Sequence, residues 1–239
     1  MEIKGIKNGN FDRPLGLGEH NLLRFYTKLA ENINEIRNPT YKGPRISLPA
    51  MRELYVKRLE EKYKIDLHTV PEDDYMNPIL AAIEGELLKI VFLYHGNFEA
   101  LEGIRILDLG CGSIDRNRHE DKNSPNSRRY EPWLCRALLE LGAQPVGLDL
   151  GNLHGEYFEH YSAIDLTKTG ALGFLPSQSF DMIHMSLVTA SPSFIVAKNG
   201  PLSIELREQI GRVLKEAGKL TGADFELNYN YPSLTKKKI

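Results

Sequence analysis

From residue 104 onward the chain alternates short apolar runs with helical patterns. The runs are "IRILDL", "PVGLDL", "YSAIDL" and "FDMIHMSLV", and "YEPWLCRALLELGA" lies between the first two. A strand that is apolar on both faces has no water-facing side, so it must be covered above and below. Such strands alternating with helices specify a mostly parallel sheet with helices on both faces, an α/β fold. The spacing predicts one more helix over "PLSIELREQIGRVLKEAGKLTG", with Leu206, Ile210, Val213, Leu214, Ala217 and Leu220 on one side. "ADFELNYN" follows as a further strand.

The first hundred residues read differently. "HNLLRFYTKLAENINEI" places Leu22, Leu23, Phe25, Tyr26, Leu29, Ala30 and Ile33 at helical spacing. "SLPAMRELYVKRLEEKY" begins at a capping serine, Ser47, and carries a stripe of Met51, Leu54, Tyr55 and Leu59. "NPILAAIEGELLKIVFLYHG" has Asn77 as cap, Pro78 at the first helical position and Gly96 as the stop. The expected division is a helical region over 1–100, which shapes a pocket wall or lid, and an α/β domain over 101–239.

Composition narrows the functional classes. The 239 residues can bury a sizeable core. With 30 basic and 32 acidic side chains the formal charge is -2, so no global field draws the chain to nucleic acid or an anionic membrane. The most apolar run, "LLKIVFLYHG", is too short to span a bilayer, and the N-terminus has no apolar signal core. Cys111 and Cys135 form neither a CxxC pair nor a disulfide framework. The expectation is a cytoplasmic protein with reduced thiols and no metal site.

The stretch most informative about ligand is "ILDLGCGS", residues 106–113. In open α/β sheets ligands bind at the carboxyl ends of the strands, and Asp108, Gly110 and Gly112 stand there. Glycine lets the ligand approach the backbone without a Cβ in between. A dinucleotide calls for G-x-G-x-x-G with a helix N-terminus on its pyrophosphate. Here the third glycine is replaced by Asp115, and Asp108 would repel a phosphate. S-adenosylmethionine carries an ammonium and a sulfonium instead, and a nearby carboxylate favours both. Asp149, ending the second run, can accept from two ribose hydroxyls, a device both ligands share. Asp165, ending the third, can accept from an adenine amine while Leu166 N–H donates to a ring nitrogen. Ser186 closes the fourth run.

"ILDLGCGS", "VGLDL", "AIDL", "FDMIHMSLV" and "RVLKEAGKL" occur in the order seen in class I S-adenosylmethionine-dependent methyltransferases, and residues 104 to about 228 resemble that family. The resemblance implies a Rossmann-like seven-stranded sheet with S-adenosylmethionine across the first four strand ends. Asp108, Gly110 and Gly112 would meet the methionine part, Asp149 the ribose, Asp165 and Leu166 the adenine, and Ser186 the neighbourhood of the methyl, with Cys111 and Leu150 also among the cofactor-binding residues.

The chain also departs from the pattern. Ile114 stands where the family often has a third glycine, and the polar segment 114–130 is inserted before the next helix. That segment is too poor in apolar side chains to repay its ordering and is expected to act as a lid. The last two strands of the family are not evident; either the sheet is trimmed or the N-terminal helices cover its edge. "SLVT" replaces the Asn/Asp/Ser-Pro-Pro-aromatic signature of many nitrogen methyltransferases, and "SPSF" at 191–194 comes five residues late. His119, His154 and His160 lie in segments able to face the site, and His184 reads as a mid-strand core histidine. No catalytic residue is assigned. The reading is methyl transfer to a small molecule or a protein side chain, not nucleic acid. The alternatives are an NAD(P)-dependent oxidoreductase and an inactive, methyltransferase-like binding protein.

Overall fold

The computed structural model describes residues 16–36, 48–67, 78–94, 96–97, 99–115, 128–189 and 202–225. Among them are five α-helices, α1 (Leu17–Ile36), α2 (Leu48–Tyr63), α3 (Pro78–Leu93), α4 (Trp133–Glu140) and α5 (Ile204–Val213), and a 3-10 turn at Glu99–Leu101. Five strands accompany them: β1 (Arg105–Leu109), β2 (Gln144–Leu148), β3 (Glu159–Tyr161), β4 (Phe180–Met185) and β5 (Leu214–Thr221). Every pairing is parallel, in the order β3-β2-β1-β4-β5. The fold is therefore a Rossmann-like α/β sandwich, and the order reverses between β1 and β4, which places the switch point at the end of β1.

Strand parity sorts the side chains into two cores. Leu107, Leu109, Val146, Leu148, Ile183 and Met185 face α1 and α5, where Phe25, Leu29, Ile33, Leu206 and Ile210 cover them. Ile106 and Met182 face the other way, onto Ile83, Leu87, Ile90, Trp133, Ala137 and Leu138 of α3 and α4, with Met51, Tyr55 and Leu59 of α2 in the same cluster. Asp108 and His184 follow Ile106 and Met182 by two residues each and are Cα partners across β1 and β4. They therefore point to the same side, toward α3 and α4.

The N-terminal helices complete the sandwich on both faces. α1 also serves β5 at the sheet edge: Asn32 Oδ1 accepts from Leu220 N–H at 2.6 Å, Arg24 donates to Leu214 O, and Lys219 reaches Glu35 at 3.5 Å. An edge strand served in this way offers fewer unpaired groups to another chain. Arg52 holds Glu84 through two bonds of 2.5 and 2.7 Å, tying α2 to α3. Not every apolar position of the α1 and α2 stripes is covered; Leu23, Tyr26 and Leu54 are exposed.

Three elements differ from the sequence expectations. The helix expected to run through Leu220 ends at Val213, and Leu214–Thr221 is β5. Past Leu214 the expected helix contains Gly218, which weakens a helix by about 1 kcal/mol relative to alanine, whereas Leu214 and Leu220 fall on one side of a strand. The register slips between Phe180↔Leu214 and Met182↔Lys219, and this bulge absorbs the extra residues. The strand expected over 223–230 is a helical turn at 223–225, its remainder lying outside the described residues. The third strand lies at Glu159–Tyr161, earlier than "YSAIDL", so Asp165 stands four residues beyond the strand end and not on it. Ser47, Asn77, His119, "SPSF" and the expected lid between 116 and 127 also lie outside the described residues.

Candidate functional site

A cleft of about 360 Å³ opens at the carboxyl ends of β1, β2 and β4. Its floor is Asp108, Gly110, Cys111 and Gly112 from the loop after β1, with Asp149 after β2. His184, Ser186, Leu187 and Val188 line it from β4 and beyond. Arg129, Tyr130, Glu131, Trp133 and Leu134 line it at the start of α4, and Ile79, Ala82, Ile83 and Glu86 come from α3. Of the residues expected from the sequence, Asp108, Gly110, Cys111, Gly112, Asp149 and Ser186 meet here. Leu150, Asp165 and Leu166 do not line it. Leu150 is 47% exposed, Leu166 is buried in the core on the α1 side, and Asp165 accepts from the N–H and Oγ1 of Thr167 at 3.0 and 2.6 Å. That is the geometry of an aspartate bracing its own turn.

The glycine loop is closed on itself. Gly110 and Gly112 have φ of +72° and +95°. A Cβ at Gly110 would stand 2.3 Å from Val188 Cγ2, and one at Gly112 would stand 2.3 Å from Tyr130 O, so neither position tolerates a side chain. Four consecutive N–H groups donate inward: Gly110 and Cys111 to Leu148 O at 2.7 and 3.1 Å, Gly112 to Asp149 Oδ2 at 3.0 Å, Ser113 to Tyr130 O at 2.9 Å. Asp149 also accepts from Gly151 N–H through Oδ1 at 2.7 Å, so its carboxylate bridges the two loops that flank β1 and β2.

On the β4 side, side chains rather than backbone set the geometry. Asp108 Oδ1 lies 2.7 Å from His184 Nδ1, and Glu86 Oε2 lies 3.0 Å from His184 Nε2. Cys135 donates its thiol to Asp108 Oδ2 at 3.4 Å, Ser186 Oγ donates to Glu86 Oε1 at 3.3 Å, and Lys89 Nζ reaches the same oxygen at 3.3 Å. Burial opposes a charge on His184, yet Asp108 and Glu86 outweigh it and raise its pKa to about 9. At neutral pH it is an imidazolium that donates from both nitrogens. Burial pushes Glu86 up, but the bond and charge of His184, with Lys89, bring it down to about 2. Burial pushes the Cys111 and Cys135 thiols up, which keeps both protonated.

A second buried network fixes the wall before α4. The guanidinium of Arg136 holds Glu156 at 2.5 and 2.9 Å and Glu131 at 2.5 Å, and Arg128 takes both oxygens of Glu131 at 2.7 and 2.8 Å. Tyr63 and Trp133 lie 4.0 and 4.4 Å from the Arg136 guanidinium, a cation–π arrangement that suits a buried arginine. Although burial pushes Glu131 up, Arg128 and Arg136 hold its pKa below the usual carboxylate range.

Two residues central to the cleft were missed or misjudged from sequence. Glu86 stands two residues from Glu84 on a mostly apolar helix, and nothing local separates the two acids. His184 is buried as expected, but it lines the cleft and is held between two carboxylates. A histidine one residue from the end of β4, opposite an aspartate one residue from the end of β1, was the available signal. His154 is exposed, His160 donates to Phe158 O at 2.8 Å, and neither lines the cleft.

No protein-family model and no curated protein matches the chain. Among solved structures it is similar to the magnesium protoporphyrin IX methyltransferase of Synechocystis PCC 6803 with bound SAH, at 13% identity and a TM-score of 0.28, over 60% of this chain and 59% of that one. It is also similar to the trans-methyltransferase CalH in complex with SAH, at 13% identity and a TM-score of 0.33, over 86% of this chain and 70% of that one.

Proposed function

We propose that the cleft binds S-adenosylmethionine and that the chain transfers its methyl group to a small molecule or a protein side chain. The observation that carries this reading is the chemistry of the floor. The cleft sits at the switch point of a parallel sheet, where such folds bind nucleotide-like ligands, yet the four N–H groups of its glycine loop already donate inside the protein. A pyrophosphate would find none of them free, and it would face Asp108, Asp149, Glu86 and Glu131. A nucleoside bearing a sulfonium and an ammonium suits the same floor.

Asp149 at the end of β2 takes the ribose in this reading, and the donor runs across the glycine loop toward Ser186. Methyl transfer is an in-line displacement that gains from positioning and from exclusion of water. Ile79, Ile83, Leu134, Leu187 and Val188 supply apolar walls for that purpose. The test is thermal unfolding with S-adenosylmethionine, S-adenosylhomocysteine, NAD and NADP. A ligand that binds only the folded state raises the midpoint. The first two should raise it and the last two should not; the reverse pattern would establish the oxidoreductase alternative.

A further inference from the structure

We infer that Glu86, on α3, is the residue that binds the α-ammonium of the donor's amino-acid end, in place of Asp108. The inference rests on S-adenosylmethionine being the ligand. Asp108 is buried, and its charge is met inside the protein, with His184 on Oδ1 and the Cys135 thiol on Oδ2. His184 transmits that buried charge outward. Its Nδ1 lies on Asp108 and its Nε2 on Glu86, so the three groups form one chain from the end of β1 to the cleft surface. Two carboxylates share the imidazolium, Lys89 adds a cation on Glu86, and Glu86 is the carboxylate that reaches solvent, with 20% of its side chain exposed.

Glu86 has capacity for such a partner. A carboxylate offers about four lone-pair positions. His184 occupies one at 3.0 Å, while Ser186 and Lys89 stand at a long 3.3 Å on the other oxygen. Lys89 shows that an alkylammonium fits at this oxygen. Position agrees with charge. A donor with its ribose at Asp149 has its amino-acid end on the β4 side of the glycine loop, where Glu86 and Ser186 meet. Arg129 lines the cleft and supplies a cation for the donor's carboxylate.

The experiment is calorimetry of the full chain with two probes, S-adenosylhomocysteine and its deaminated analogue, which keeps the carboxylate and lacks the ammonium. The full chain should prefer S-adenosylhomocysteine by about tenfold or more, the range for a bond to a charged group. Glu86→Gln, which still accepts from His184, should remove that preference and leave the analogue's affinity within about twofold, as expected for a contact the analogue cannot make. A preference retained in Glu86→Gln, or equal losses for both probes, overturns the assignment. If the variant does not fold, the unaltered chain still decides: equal affinity for the two probes overturns it, and a clear preference supports it. Failure of the full chain to bind either probe would instead defeat the S-adenosylmethionine reading itself.

Discussion

The two sides of the cleft hold their aspartates by different means. Asp149, on the β2 side, accepts from the backbone N–H groups of Gly112 and Gly151, so its position is set by the loops next to it. Asp108, on the β4 side, is held by side chains from β4 and α4, and through His184 it reaches α3. The first arrangement is local and tolerates change elsewhere in the chain. The second makes the cleft depend on how the N-terminal helices dock, because a buried carboxylate there is stable only while its partner is in place.

The largest effect should follow from emptying the second arrangement. His184→Ala leaves Asp108 buried and unpaired, and removing one partner of a buried charged pair costs about 3–5 kcal/mol. Urea unfolding should show that loss; a loss below about 1 kcal/mol would mean that the β4 side is no more demanding than an ordinary core position.

Titration separates the sides further. His184 has a folded-state pKa of about 9 against 6.5 for the free side chain, so the folded protein holds its proton more tightly. Its stabilising contribution is therefore complete below about 6.5, declines as pH rises, and is gone above about 9, a change on the order of a few kcal/mol. The difference in unfolding free energy between the unaltered chain and His184→Gln, followed across that window, isolates the histidine from other titrating groups. A difference that stays flat would show that His184 is neutral in the folded chain.

Asp149 should matter more to ligand than to the neighbouring side of the sheet. Asp149→Ala should weaken S-adenosylhomocysteine binding by about 1.5–3 kcal/mol, the range for bonds to a charged acceptor. Unchanged affinity in a folded variant, measured by calorimetry, would remove the ribose assignment.

Asp165 should give the smallest effect. Its carboxylate serves the turn at Thr167 and does not line the cleft, so Asp165→Ala should cost about 0.5–1 kcal/mol of stability, as for a lost cap. Its S-adenosylhomocysteine affinity should stay unchanged. A tenfold loss of affinity would return Asp165 to the adenine site and require the segment after β3 to move on binding.

Much of the fold was legible because its signals are local. The double-sided apolar runs ending in Asp108 and Asp149, the two glycines between them and the periodicity of α1 to α4 each lie within one window of the chain, and backbone sterics read them in place. Those features determined a parallel α/β sheet with a glycine loop after its first strand. The helix expected through Leu220 failed because its apolar positions satisfy a helical stripe as far as Leu214 and a strand thereafter. Only pairing with β4 decides between them. The β4 side of the cleft was decided by tertiary structure alone. Asp108 and His184 are 76 residues apart and His184 and Glu86 are 98 apart, and no periodicity spans such distances. Sheet register brought the first pair together and helix docking the second. Arg136, Glu131 and Glu156 likewise look like ordinary surface charges in the sequence, and they are buried only because their mutual bonds offset the loss of water.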